Sequence, residues 1–260
     1  MLAIERLSEI TKELQRRGTA KVEELAKQFG VSEMTIRRDL EKLEKDGVAY
    51  RCYGGAALKT DLINDVAFKD RETLFPDVKK RLAAYCHRNF TDGPHILYLD
   101  AGSTVLELAK LLVYQPSLTI ITNDVIIASY LAGREFETII LGGKVQAGLG
   151  CVHGYVAEHQ LAGLRIDAAF VSGLSIDKNY DLFAATENKV YFRRRLLEQS
   201  NKSYLLMDSS KFYKQSIFRT HNLSEYTAVL SDKVLSKEER SLVQQKGINW
   251  ITVEAPGGAK

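Results

Sequence analysis

The chain has 260 residues, of which 45% are hydrophobic and 27% are charged. This length suits two domains of ordinary size, and this composition provides enough apolar side chains for a core, which excludes wholesale disorder. The formal net charge is only +3, a balance that neither requires a nucleic-acid partner nor argues against one.

Several other classes of protein are disfavoured by the residue types and their spacing. The three cysteines, Cys52, Cys86 and Cys151, are far apart, so neither a disulfide framework nor a zinc finger is predicted. The five histidines form no close ligand pair, and we expect neither a metal site nor a cofactor. The N-terminal segment is charged every few residues, unlike a signal peptide, and no apolar run approaches the roughly 18 residues that span a bilayer. We therefore expect a soluble, cytoplasmic protein.

The first part of the chain predicts three short helices. Apolar residues recur at helical spacing over residues 2–17, and a second helix is predicted over residues 22–29, where Gly30 stops it. Ser32 is suited to cap a third helix, which is predicted to end at Asp46-Gly47.

The third helix has an outward face that suits DNA recognition. Ile36, Leu40 and Leu43 recur at i, i+4 and i+7 and must face the core. The residues left outward near the N-terminus of this helix are Ser32, Glu33, Thr35, Arg37 and Arg38. Arginine can bond guanine at two atoms in the major groove, and hydroxyl groups reach bases or phosphates. The alternative is a solvated face of an ordinary helical protein.

A hairpin is predicted after the third helix. The extended segment 48–53 runs into Gly54-Gly55, and such a wing would carry Arg51 toward the DNA backbone or minor groove, with Tyr53 as a second candidate contact.

The whole of this region resembles a known DNA-binding domain. The string VSEMTIRRDL at residues 31–40, followed by Leu43, Gly47 and RCYGGA at residues 51–56, closely resembles the winged helix-turn-helix of the DeoR family of bacterial sugar-metabolism regulators. The resemblance implies that residues 1–57 form a DNA-binding domain whose partner is double-stranded operator DNA.

Residues 58–77 mix apolar and charged side chains without a clean period and are interpreted as a linker. A helix is predicted from about Val78 to Phe90, where Leu82, Ala83 and Cys86 share one face. The basic run Lys79-Lys80-Arg81 is interpreted as a solvated face of this helix rather than a second DNA contact.

Short apolar strands alternate with helices through residues 78–260, which predicts a mostly parallel sheet buried on both faces. The predicted strands are 96–99, 118–122, 137–141, 168–172, 203–208, 228–231 and 249–253. In such α/β folds ligands bind at the carboxyl ends of the strands.

That rule selects a set of candidate ligand-binding residues. They are Asp100, Gly102, Ser103, Thr104, Thr122, Asn123, Gly142, Gly143, Gly173 and Lys211. Gly102-Ser103-Thr104 opens a helix, where free backbone N–H groups favour a phosphate, and Lys211 adds a positive charge. Asp100 would accept hydrogen bonds from sugar hydroxyls or orient the loop. Each of these residues taken singly is also an ordinary turn residue.

The second half also resembles the DeoR-type sensor domain, which is related in fold to ribose-phosphate isomerases and coenzyme A transferases. The similar segments are 100–104, 122–123, 141–143 and 208–212. The resemblance extends over nearly all of residues 75–253 and implies a phosphorylated sugar or polyol as effector.

Two segments depart from the family pattern. After the central strand, Ser172-Gly173-Leu174-Ser175-Ile176-Asp177 replaces the usual Gly-x-x-Gly-Ile-Asp. Lys189 stands where the family has a carboxylate, unless Glu187 reaches the same space. Either Lys189 and an arginine of 193–195 are extra anion partners, or effector sensing has weakened, and the sequence leaves both open.

Two functions are weighed. The first is a transcriptional regulator, by family default a repressor of a sugar or polyol catabolic operon, acting as a dimer or tetramer. The second is a sugar-phosphate isomerase-like enzyme using Asp100, Glu187 or Asp208 as a base. An isomerase has no use for a winged helix, so we do not expect an enzyme.

Overall fold

The computed structural model describes residues 3–17, 19–46, 48–52, 55–58, 68–93, 95–112, 118–135, 137–214 and 216–255. The chain divides into two compact units, Met1–Asp61 and Leu62–Lys260. Among the described helices, none combines the length and the apolar character needed to cross a membrane.

The N-terminal unit is a winged helix-turn-helix. Its elements are α1 (Ala3–Arg17), β1 (Thr19–Lys21), α2 (Val22–Phe29), α3 (Glu33–Lys45), β2 (Ala49–Cys52) and β3 (Gly55–Leu58). The three strands form an antiparallel sheet in the order β1-β3-β2. The three predicted helices and the hairpin are confirmed, whereas the short strand β1 was not predicted.

The core of this unit lies between its three helices. Ile36, Leu40 and Leu43 are buried against apolar residues of α1 and α2, which confirms the predicted inward face of α3. Gly30 ends α2 with a φ of 63°, a left-handed conformation that glycine adopts without steric cost. The tight turn that follows sets the angle between α2 and α3.

A buried ion pair joins α1 to α3. The guanidinium of Arg6 donates to both carboxylate oxygens of Asp39, at 2.6 Å from Nε and 3.2 Å from Nη2. Both side chains are about nine-tenths buried. A two-point contact of this kind fixes orientation, because both hydrogen bonds require the planes of the two groups to match.

The second unit contains a large parallel sheet covered by helices. Its elements are α4 (Phe68–Thr73), α5 (Pro76–Phe90), β4 (Ile96–Leu99), α6 (Ser103–Leu111), β5 (Thr119–Thr122), α7 (Val125–Leu131), β6 (Thr138–Ile140), β7 (Lys144–Val145), β8 (Val152–His153), α8 (Tyr155–Ala162), β9 (Ile166–Ser172), β10 (Ser175–Ile176), β11 (Asp181–Ala184), α9 (Glu187–Glu198), β12 (Ser200–Leu206), β13 (Phe218–Asn222), β14 (Ala228–Ser231), α10 (Lys237–Gln245) and β15 (Trp250–Thr252).

Seven strands form this sheet in the order β15-β14-β12-β9-β4-β5-β6, and every neighbouring pair is parallel. In β4, Leu97 and Leu99 pack into the core on one face while Tyr98 packs into the core on the other. Burial on both faces explains why the central strands are continuous apolar runs. The predicted α/β class is confirmed.

The strand order determines which loops meet. β12, β9, β4, β5 and β6 are consecutive in the sheet, and these are the five strands whose ends carry the candidate ligand-binding residues. Because parallel strands all end at the same edge, the five loops lie side by side.

Two features of the region between residues 58 and 90 differ from expectation. Helix α4 lies within the predicted linker, and its Phe68 is buried in the core of the second unit. Lys79 was interpreted as part of a solvated helix face, but it is only 4% exposed. Lys79 precedes Leu82 and Ala83 by three and four residues, so it shares their buried face of α5.

Candidate functional site

The start of α3 presents hydroxyl groups and arginines. Ser32 caps the helix by accepting a hydrogen bond from the Thr35 backbone N–H at 3.2 Å, and the two hydroxyl oxygens are 2.9 Å apart. Arg37 lies 3.4 Å from Glu33 in an exposed pair, and Arg38 is exposed. Exposed pairs of this kind contribute little stability, so Arg37 can exchange its partner at small cost.

Three more residues complete the account of this surface. The exposed Met34, which sequence reasoning missed, stands among these polar groups with 62% of its surface accessible. Of the wing candidates, Arg51 lies in β2 with only its backbone described, and Tyr53 lies outside the described residues.

In the second unit, a cleft opens at the carboxyl ends of β4, β9 and β12, with α4 and α5 along one side. The space between its lining residues is about 410 Å³ when the open solvent at its mouth is included, and the enclosed part is only about 30 Å³. Its lining residues are Arg71, Leu74, Phe75, Lys79, Ser103, Thr104, Ser172, Gly173, Leu206, Met207, Asp208 and Lys211.

Positive charge dominates the cleft. Burial lowers the pKa of Lys79 and of Lys211, and the positive charge of Arg71 lowers both further. Asp208 acts in the opposite direction on both lysines, but its Oδ1 also accepts hydrogen bonds from the N–H and hydroxyl of Ser210. The lining contains three cations and one carboxylate, and Glu107 outside the lining also acts to raise the pKa of Lys79. The lining itself therefore has an excess of positive charge, which an anion would neutralise.

The N-terminus of α6 adds to this potential. Ser103 and Thr104 are the first two residues of this nine-residue helix and line the cleft. The unpaired N–H groups of a first helical turn and the helix dipole attract an anion. The cleft therefore combines buried ammonium groups with a helix N-terminus.

Gly102 allows the loop before α6 to approach β9. A Cβ atom at Gly102 would lie 2.1 Å from Ser172 Oγ, which donates a hydrogen bond to the Ala101 carbonyl at 3.2 Å. Gly173 is equally confined, because a Cβ there would lie 2.5 Å from Leu182. These close approaches set the shape of the cleft floor.

A second polar cluster lies around Asp100. Its carboxylate accepts a hydrogen bond at 2.7 Å from Arg193 of α9, and both side chains are largely buried. Arg193 is one of the three consecutive arginines at residues 193–195, and its partner is Asp100. The carboxylate of Asp100 is thus bound within the protein.

Thr122 and Asn123 also bond within the protein. Thr122 donates to the Leu99 carbonyl at 2.6 Å, and the Asn123 amide donates to the Val152 carbonyl at 3.0 Å. The same amide nitrogen lies 3.2 Å from His153 Nε2. Asn123 Oδ1 and His153 Nδ1 are buried with no hydrogen-bond partner in the described part of the chain.

The remaining predicted residues lie further from the cleft lining. Gly142 donates its N–H to Gln160 at 2.7 Å, and Gly143 is beside Val152. Lys189 is half-buried in the first turn of α9, where its charge helps lower the pKa of His153. Glu187 is exposed and accepts a hydrogen bond from the Tyr191 hydroxyl at 2.9 Å.

The predicted ligand-binding residues therefore fall into two groups, those at the cleft and those outside its lining. Ser103, Thr104, Gly173 and Lys211 line one cleft, with Gly102 behind them. The members outside the lining are Asp100, Thr122, Asn123, Gly142, Gly143 and Lys189. Sequence reasoning missed Arg71 and Lys79. Among the described residues, no group of three or more His, Cys, Asp or Glu is placed to hold a metal ion.

Two family models match the chain. The model described as the DeoR C-terminal sensor domain matches residues 75–233, and the model described as the DeoR-like helix-turn-helix domain matches residues 6–61. The chain belongs to the DeoR family. Its N-terminal unit is thus the DNA-binding domain of a DeoR-type transcriptional regulator, and its α/β unit is the sensor domain.

Several DeoR-type relatives match over most of their length. The chain is 32% identical to the uncharacterized HTH-type transcriptional regulator YgbI of Escherichia coli K12, with 94% of this chain and 96% of the relative covered. It is 30% identical to the L-fucose operon activator of Haemophilus influenzae, with 91% and 94% covered. The glycerol-3-phosphate regulon repressor of Escherichia coli K12 is 29% identical, with 84% and 86% covered. Among solved structures, ribose 5-phosphate isomerase A of Methanocaldococcus jannaschii is 15% identical, with a TM-score of 0.38 over 53% of this chain and 54% of that chain.

Gly102→Ala is expected to destabilise the sensor domain by about 1–3 kcal/mol, because the new methyl group overlaps Ser172 Oγ. The double variant with Ser172→Gly should recover part of that loss. Denaturant unfolding followed by circular dichroism measures both. Gly142→Ala is the matched control, since its Cβ would meet side-chain atoms only at 3.6 Å. An equal loss of unfolding free energy in Gly102→Ala and Gly142→Ala would refute the close-packing argument.

His153 is expected to make the sensor domain less stable in acid. Burial, with smaller contributions from the positive charges of Lys189 and Arg193, lowers its pKa to about 3. Between pH 6.5 and 3 the unfolded chain binds a proton that the folded chain does not, so stability falls as the pH falls. The loss from pH 7 to pH 5 is about 2 kcal/mol for this group.

The measurement is urea unfolding at pH 7 and pH 5. His153→Gln should lose less stability between these pH values than the unaltered chain, whereas His159→Gln, at an exposed position of α8, should behave like the unaltered chain. If the stability of His153→Gln falls between pH 7 and pH 5 as much as that of the unaltered chain, His153 is not the group responsible for the loss.

Proposed function

We propose that this DeoR-family regulator represses a sugar or polyol catabolic operon, and that a phosphorylated sugar or polyol bound in the cleft changes its affinity for operator DNA. The observation that carries the proposal is the placement of Lys79 and Lys211 beside the N-terminus of α6. Buried ammonium groups without equal negative charge are costly, and a bound phosphate compensates for that cost.

The charge of a phosphate monoester fits this cleft. Such a group carries a charge of about −1.5 to −2 near pH 7 and offers several strong acceptor oxygens. Arg71, Lys79 and Lys211 supply matching donors, and the hydroxyl groups of Ser103 and Thr104 add two more. An unphosphorylated sugar would leave the cations unpaired, so the phosphate is expected to be required.

The rest of the effector would extend along the sheet edge toward the loops after β5 and β6. Thr122, Asn123, Gly142 and Gly143 are retained as candidate contacts for it. The ion pair with Arg193 favours the orienting role for Asp100 over direct binding of a sugar hydroxyl. Lys189 remains a candidate for an acidic part of the effector.

On the DNA side, Ser32, Thr35, Arg37 and Arg38 would contact bases or phosphates in the major groove, with Glu33 at the rim. Arg51 and Tyr53 are proposed as wing contacts. Linkage requires the effector to bind the DNA-competent and DNA-incompetent states with different affinities.

The same proposal includes a location and an oligomeric state. The protein would act in the cytoplasm as a dimer or tetramer, because helix-turn-helix proteins recognise repeated half-sites. A regulatory role is favoured over isomerase-like catalysis, because a general base must be free to reach substrate. Asp100 is held by Arg193, Glu187 is exposed and bonded to the Tyr191 hydroxyl, and Oδ1 of Asp208 accepts two hydrogen bonds from Ser210.

Arg37→Ala is expected to cost roughly 1–3 kcal/mol of operator binding if Arg37 contacts a base. Fluorescence anisotropy on the DNA upstream of the protein's own gene measures this loss. Lys12→Ala is the matched control, because it also removes one exposed, paired cation from the same unit. Unchanged operator affinity in Arg37→Ala would remove this residue from the interface.

The effector is identified by titrating the protein–DNA complex with sugar and polyol phosphates beside their unphosphorylated parents. One phosphate should shift operator affinity several-fold while its parent does not. Lys211→Gln should weaken that response about tenfold, since it removes one charged hydrogen-bond donor. Lys237→Gln, at an exposed lysine of α10 outside the cleft lining, should respond normally. A panel without any active phosphate would contradict the sensor proposal.

A further inference from the structure

Helix α4 contributes to the cleft although it precedes the segment that resembles the sensor domain. Arg71 lies on α4, and Leu74 and Phe75 follow it directly, and all three line the cleft. In sequence, α4 begins at Phe68, shortly after the N-terminal unit ends at Asp61. It is the first described helix after the DNA-binding domain.

Helix α4 is held to the rest of the sensor domain by packing against α6 and by contacts of its first residue and of Arg71. Phe68 is buried in the core, and its N–H donates to the Gly148 carbonyl at 3.0 Å. The ammonium of Lys79 donates to the Arg71 carbonyl. A helix of six residues is too short to be stable alone, so these contacts determine whether it forms.

The side chain of Arg71 is incompletely bonded. Its Nε is buried with no hydrogen-bond partner among the described residues, and its guanidinium lies 5.6 Å from the centre of the Phe68 ring. Lys79 and Lys211 line the same cleft, so the three like charges repel one another when no anion is present. This repulsion opposes the docking of α4.

The junction between α4 and α5 is strained. Phe75 has a φ of 51° and a ψ of 49°, a left-handed conformation that is rare for a bulky residue. Such a conformation persists only where surrounding contacts hold it. Weakening the contacts of α4 would therefore release this strain.

We propose that an anion held between Arg71, Lys79 and Lys211 fastens α4 to the sensor domain, and that loss of the anion loosens α4, which carries the change to the DNA-binding domain. This inference rests on the proposed function for its effector, but the docking of α4 can be tested without that effector.

The first test is amide hydrogen exchange of the full chain in inorganic phosphate and in chloride at equal ionic strength. Phosphate should slow exchange in peptides covering residues 68–75 by about fivefold or more, because it suppresses local opening. Helix α10, Lys237–Gln245, provides an internal control outside the cleft lining. Equal effects of phosphate on α4 and α10 would overturn the proposal.

The second test separates phosphate binding in the cleft from the effect of that binding on operator affinity. Phe68→Ala removes the buried anchor of α4 without altering a residue of the cleft lining, and Phe68→Leu retains much of the anchor. In Phe68→Ala, the active phosphate of the panel should bind about fivefold or more weakly, because α4 carries Arg71 and the coupling between the anion and α4 is reciprocal. Even at a phosphate concentration that saturates the variant, the effect on operator affinity should be largely lost, because α4 is no longer anchored in the core. Phe68→Leu should retain most of the response.

The outcomes distinguish the two proposals. A normal operator response in Phe68→Ala would overturn the role of α4 while leaving the sensor function intact. If no panel phosphate affects the unaltered chain, the proposed function fails, whereas protection of α4 by inorganic phosphate would still establish anion-dependent docking.

Discussion

Two ammonium groups placed in the wall of one cleft set the main physical constraint on the sensor domain. Lys79 is almost fully buried and Lys211 is half-buried, and transfer of charge from water into a protein is costly unless it is compensated. The seven-stranded sheet brings three loops to the same place, and α5 adds Lys79 from the side. In the proposed function, a bound anion relieves the cost of this incompletely compensated charge.

The polar groups along the sheet edge are used in two different ways. Those beside β12 and the start of α6 face the cleft, whereas those after β4 and β5 are bonded to the protein itself. Asp100 illustrates the second use, because its ion pair with Arg193 connects the loop before α6 to α9. Hydrogen bonds and an ion pair within the protein thus adjoin the cleft without lining it.

The sequence was sufficient to predict elements that have a helical period or a continuous apolar run. The helices of the N-terminal unit show the first pattern and the strands of the large sheet show the second, whereas the short strands β1, β7 and β10 show neither. At the site, the strand-end rule predicted Ser103, Thr104 and Lys211. It could not find Arg71, which comes from a helix packed beside the strand ends, and two neighbouring cations made Lys79 resemble a solvated residue.

The Arg6–Asp39 pair has a consequence for how the chain meets DNA. Asp39 directly follows Arg38 in α3, and successive residues of a helix are rotated by about 100°. Holding Asp39 against α1 at two points therefore fixes the rotation of α3 about its own axis. The directions in which Arg37 and Arg38 leave the helix are therefore set by a contact on the buried side of α3.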